Sequence, residues 1–134
     1  MQSDSLDANL LVHFILDDVP GQRTLVTELL QTPNTIHYLN EIAISETIYV
    51  LERIYKQPRS RIINEVNMFL THYCDEIIYN RSLTMIAFPL YLEHHDLSFN
   101  DCLLSAHAKI DHAEPLYTFD QALAKKSPSA KLLN

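Results

Sequence analysis

The chain has 134 residues, 47% of them apolar, with 17 acidic against 10 basic side chains and a net charge of −7. That length suits one domain with a sizeable core, and the acidic balance argues against broad non-specific affinity for nucleic acid, though not against a local basic cluster. A single glycine, Gly21, excludes Walker loops and dinucleotide fingerprints.

The first predicted element is a short strand over residues 3–7, ending at Asp7. Residues 8–16, ANLLVHFIL, follow at helical spacing and "VPG" closes them. In residues 22–31 Leu25, Val26, Leu29 and Leu30 mark an amphipathic helix that stops before "TPN". Residues 35–39, TIHYL, alternate like a strand, and Asn40 is placed to cap a helix running to about Gln57, where Pro58 ends it. An alternative keeps "IAI" as strand and starts the helix at Ser45; the continuous stripe pattern favours the longer helix. Residues 59–73 present Ile62, Val66, Phe69, Leu70 and Tyr73 on one helical face, and residues 76–79 fit a strand. Residues 82–95 read as a helix that Pro89 bends or interrupts. A helix capped by Ser98, a last strand over residues 115–119 and a short helix after Asp120 complete the chain.

Helices alternating with short apolar strands predict an α/β fold, with a short parallel sheet of four to five strands covered by helices on both faces. No linker divides it, so residues 1–134 are expected to form a single domain. Such sheets bind ligands beyond the carboxyl ends of their strands. No basic-then-apolar leader precedes Asp7, and no apolar run approaches 18 residues, so the expected location is the cytoplasm, away from membrane. Cys74 and Cys102 lack a CxxC partner and are expected to be reduced thiols.

Two acids sit oddly. In the helix after Asn40, Ile44, Ile48, Leu51 and Tyr55 form one apolar stripe, and Ile42, Tyr49 and Val50 form a second. Glu46 falls in the second stripe, where an unpaired buried carboxylate costs on the order of several kcal/mol. Asp101 likewise lies beside Leu104 and Ala108, off the polar side of its helix. Asp7 and Asp120 each stand where a strand meets a helix. Singly, each acid has a structural explanation: Asp7 and Asp120 as N-caps, Ser98 with Asp101 as a near capping box, Glu46 paired with Arg53. Together they suggest a carboxylate cluster that a hard cation, Mg²⁺ or Mn²⁺, must neutralise. The histidine-rich stretches at 72–75, 94–96 and 107–112 lack a spacing that closes a zinc site. Arg53, Arg59 and Arg61 form a local basic cluster, a weak candidate for substrate binding against the plainer reading of a solvated helix end.

The segments LDANLLVHFIL, ETIYVLERIY, LSFNDCLLSAHA and YTFDQAL resemble the four acidic motifs of PIN-domain ribonucleases, closest to VapC-type toxins of toxin–antitoxin pairs. The resemblance implies a PIN-like three-layer fold and a metal-dependent endoribonuclease. Asp7, Glu46, Asp101 and Asp120 would form its catalytic and metal-binding quartet, with Asn9 and Thr118 supporting the first and fourth acids. It also implies RNA as substrate, a cognate antitoxin and a homodimer. Two departures are modest: Ala8 replaces the usual Thr, and the loop before the third motif lacks glycine. A catalytically inactive PIN-like binding or regulatory module is the alternative. A phospho-receiver is disfavoured, because residues 76–80, EIIYN, carry no acceptor Asp at the strand end.

Overall fold

The computed structural model describes residues 1–134 and divides into two compact units, Met1–Tyr79 and Asn80–Asn134. In the first, β1 (Gln2–Ser5), β2 (Thr35–Tyr38) and β3 (Ile77–Ile78) form a parallel sheet in the order β1-β2-β3. Its register sets Ser5 against Tyr38 and Tyr38 against Ile78, so three carboxyl-terminal strand positions lie in one row. Parallel neighbours need crossovers, and the helices α1 (Ala8–Leu16), α2 (Gln22–Leu30), α3 (Glu41–Tyr49) and α4 (Arg59–His72) lie between the strands in sequence. Leu11, Leu30, Ile44, Ile48, Leu51, Ile62 and Val66 are fully buried, each worth about 1.5–3 kcal/mol relative to exposure.

The start of α3 follows the sequence: Asn40 is extended and its side chain accepts a hydrogen bond from the Ile42 N–H. Its end does not. The α-helix stops at Tyr49 and widens into a π-helical turn, Val50–Ile54, before Lys56 adopts a left-handed φ of 55°. A π turn holds an extra residue, so side chains beyond it rotate around the axis. Leu51 stays buried, whereas Tyr55, expected on the same stripe, is exposed.

The second unit begins with α5 (Arg81–Glu93) and α6 (Phe99–Ile110), which pack on one another through Phe88, Tyr91 and Phe99. Pro89 lies inside α5 without ending it. Pro89 offers no N–H to the Met85 carbonyl, and both residues lie on the exposed side of the helix. β4 (Leu116–Thr118) and β5 (Ala130–Leu132) form a parallel pair around α7 (Gln121–Lys126). A buried hydrogen bond of 2.8 Å from the Ser127 hydroxyl to that of Ser105 ties the chain after α7 to α6.

The class is the expected one, α/β with parallel strands. The five strands are hydrogen-bonded as a set of three and a pair, and β5 had no counterpart among the predicted elements. Its three residues carry too little pattern to declare a strand without their partner, β4.

Candidate functional site

Three of the four singled-out acids occupy helix starts, and each is held there by its own carboxylate. Asp7 is extended, follows β1, and accepts a 2.7 Å hydrogen bond at Oδ1 from the Ala8 N–H. Asp120 follows β4 and accepts a 3.0 Å bond at Oδ1 from the Leu123 N–H. Asp101 completes a capping box: it accepts from the Ser98 N–H at Oδ2, while the Ser98 hydroxyl accepts from the Asp101 N–H, both at 3.1 Å. N-terminal helix turns favour carboxylates through their unpaired N–H groups and the helix dipole, which accounts for all three placements. Each of these bonds engages one carboxylate oxygen. The other oxygen of each side chain is directed by the cap without being used by it.

Glu46 differs, and the structure corrects the premise that singled it out. The second stripe of α3 is not buried: Ile42 is 66% and Tyr49 60% exposed, and Glu46 beside them is exposed too. The carboxylate therefore pays no desolvation cost, and no ion pair joins it to Arg53. Asp101 is half-buried, with Leu104 exposed and only Ala108 buried on its side of α6. Being off the polar stripe did not mean being inside.

Among the supporting residues, the Thr118 hydroxyl accepts a 3.0 Å hydrogen bond from the Asp120 N–H, bracing the backbone of the fourth acid. Asn9 is exposed and lines a groove of about 330 Å³ with Leu10, His13, Gln22, Leu25 and Val26. The arginine cluster is not uniform. Arg53 and Arg61 are exposed, but Arg59 is only 8% exposed and its Nε donates to Glu52 Oε2 at 2.9 Å. This half-buried pair joins the π turn to the start of α4, so Arg59 is a structural cation and not a free contact for substrate.

One polar pair had no signal in the sequence pattern. His37, fully buried on β2, hydrogen-bonds through Nδ1 to the carboxylate of Asp4, its register partner on β1. Its Nε2 is buried without a partner. A single histidine in a four-residue strand alternation resembles any inward residue, and only the register reveals Asp4 opposite it.

Asp7 and Glu46 belong to the first unit, Asp101 and Asp120 to the second. In neither unit are three or more His, Cys, Asp or Glu side chains gathered to hold a metal ion. The donors are all carboxylate oxygens, the ligand type that suits Mg²⁺ or Mn²⁺.

The PIN domain family matches residues 5–127, a span that includes all four acids. The chain belongs to the PIN domain family. Among solved structures, this PIN domain is similar to VapBC2 from Rickettsia felis bound to a DNA fragment from their promoter. The identity is 20% and the TM-score 0.41, covering 100% of this chain and 98% of that one. No curated protein matches the chain. No helix is long and apolar enough to cross a membrane.

Proposed function

We propose that this PIN domain is a Mg²⁺- or Mn²⁺-dependent endoribonuclease that hydrolyses RNA phosphodiester bonds through Asp7, Glu46, Asp101 and Asp120, and that it acts as the toxin of a toxin–antitoxin pair. The observation that carries the reading is the family match across all four acids, joined to the one-oxygen caps of the three aspartates. A cap orients a carboxylate and leaves its second oxygen to a cation, so the structural and chemical roles coexist on one side chain. In this reading Asp7 and Asp101 would hold the ion, and Asp120 would share it or its water. A bound divalent ion offsets the mutual repulsion of the acids and the charge that develops on the phosphate. Glu46, mid-helix and solvent-facing, has a carboxylate available to orient the attacking water or take its proton. No activated Ser or Cys is needed.

The same reading makes residues 1–134 one functional domain in the cytoplasm, expected as a homodimer. Its partner is a cognate antitoxin presenting an Arg- or Lys-bearing segment to the acids. Incubation of the purified chain with RNA, with and without Mg²⁺ or Mn²⁺, tests the nuclease reading beside Asp7→Asn and Asp101→Asn. Cleavage that persists in excess chelator or in both variants overturns it. Gel filtration alone and with the co-expressed neighbouring gene product tests the assembly.

The second reading, an inactive PIN-like binding module, draws on one observation: three of the four acids already have work as helix caps, which suffices to explain them. A well-folded chain that cleaves no RNA under any divalent ion would favour it.

A further inference from the structure

Parallel strands place register partners on one face, so alternation along β4 and β5 sorts their side chains. Leu116, Thr118, Ala130 and Leu132 are all half-buried. Tyr117, its register partner Lys131, Phe119 and Leu133 are all exposed, Tyr117 at 58% and Phe119 at 79%. The ladder continues past β5, with the Leu133 N–H donating to the Thr118 carbonyl at 2.9 Å, so this outer face extends to the residues beside Asp120. Tyr117 on β4 and Phe119, one residue past its end, leave two aromatic rings in water, which is costly unless something covers them.

The charge around them indicates what does. Residues 121–134 hold Lys125, Lys126 and Lys131 and no acid, in a chain whose net charge is −7. Lys131 stands directly across from Tyr117 in the register, and Lys125 and Lys126 lie on α7, the crossover between the two strands. Exposed rings with a lysine across the strand fit single-stranded nucleic acid, whose bases stack on aromatic faces while its phosphates meet the cation.

We propose that Tyr117, Phe119 and Lys131 form a stacking platform for the unpaired RNA bases that flank the bond cleaved at Asp120. The platform rests on the nuclease reading for its link to Asp120. Every base has a π-face, so such a surface selects unpaired over paired RNA without choosing a sequence.

The test is fluorescence anisotropy with the full chain in excess chelator, where no cleavage occurs. The probes are a labelled single-stranded RNA oligonucleotide, its duplex, and an abasic strand of equal length. The single strand should bind more tightly than the other two. Tyr117→Ala and Phe119→Ala should each weaken it about 5- to 100-fold, while Tyr117→Phe keeps binding. Lys131→Gln should lower the slope of log affinity against log salt by about 0.7. The chain has no Trp, so Phe119→Trp supplies a unique fluorophore whose emission should be quenched by the single strand and not by the abasic one. Single-strand affinity unchanged in both alanine variants overturns the platform. A change of oligomeric mass in those variants with RNA affinity intact also overturns it, and assigns the face to a protein partner. A parent that binds through the rings but never cleaves would sink the nuclease reading and leave the platform standing.

Discussion

Asp7 and Asp120 are the same device built twice. Each follows a parallel strand, is extended, and caps the next helix through Oδ1. The residues just before them are opposites. Leu6 is 6% exposed and belongs to the buried set, whereas Phe119 is left almost wholly in water, with Thr118 behind it bracing the Asp120 backbone. The helices differ as well: α1 has nine residues and buries Ala8, Leu11 and Val12, while α7 has six and buries only Leu123. At the first junction the acid crowns a segment committed to the core; at the second it stands beside a surface committed to solvent.

The comparison breaks most visibly in catalysis. Asn caps a helix about as well as Asp, so Asp7→Asn and Asp120→Asn should fold like the parent and yet bring divalent-dependent RNA cleavage to background. A gel assay with a thermal melt alongside reads both effects, and an active Asn variant would reduce that acid to a cap. The next largest difference is in stability. Leu6→Ala should cost about 2–5 kcal/mol in denaturant unfolding, against about 0.5 kcal/mol or less for Phe119→Ala; equal costs would mean that the two junctions are built alike after all. Removing the caps themselves is smaller: Asp7→Ala and Asp120→Ala should each lose about 1 kcal/mol, with the Asn variants within a few tenths of the parent.

The smallest effect lies at the far ends of these helices. α1 closes with His13 Nδ1 bonded to Asp18 Oδ1 at 2.7 Å, whereas α7 ends on Lys125 and Lys126. The hydrogen bond from His13 holds the Asp18 carboxyl below the usual carboxylate range. A carboxyl lowered in the folded state stabilises above its unfolded value, about 3.9, and loses that contribution as pH falls through the folded value. Parent and Asp18→Asn should therefore differ slightly in urea midpoint near neutrality and converge in acid; the pair is solvent-exposed, and the difference should shrink with salt.

Local signals were legible in proportion to their range. Asn40, Ser98 and Asp120 announced helix starts because a cap is settled within three residues. Asp7, Asp101 and Asp120 were legible as carboxylates at helix starts, but the apolar surroundings expected of Glu46 were not there. A helix with two apolar stripes does not say which one meets the rest of the protein, and α3 buries Ile44 and Ile48 while leaving Ile42 and Tyr49 outside. Arg59 looked like one of three surface cations because its partner, Glu52, sits in a π turn that shifts the helical register, with Pro58 between the two.

By itself, then, the sequence determined where helices begin, that parallel strands alternate with them, and which carboxylates stand at their junctions, since all of these depend on neighbours a few residues away. Tertiary structure alone decided which apolar stripe is covered, that β5 exists by pairing with β4, that Asp4 lies opposite His37, and that Tyr117 and Phe119 remain in water. Each of those outcomes depends on what a distant segment places alongside, and side-chain periodicity within one element carries no record of its neighbour.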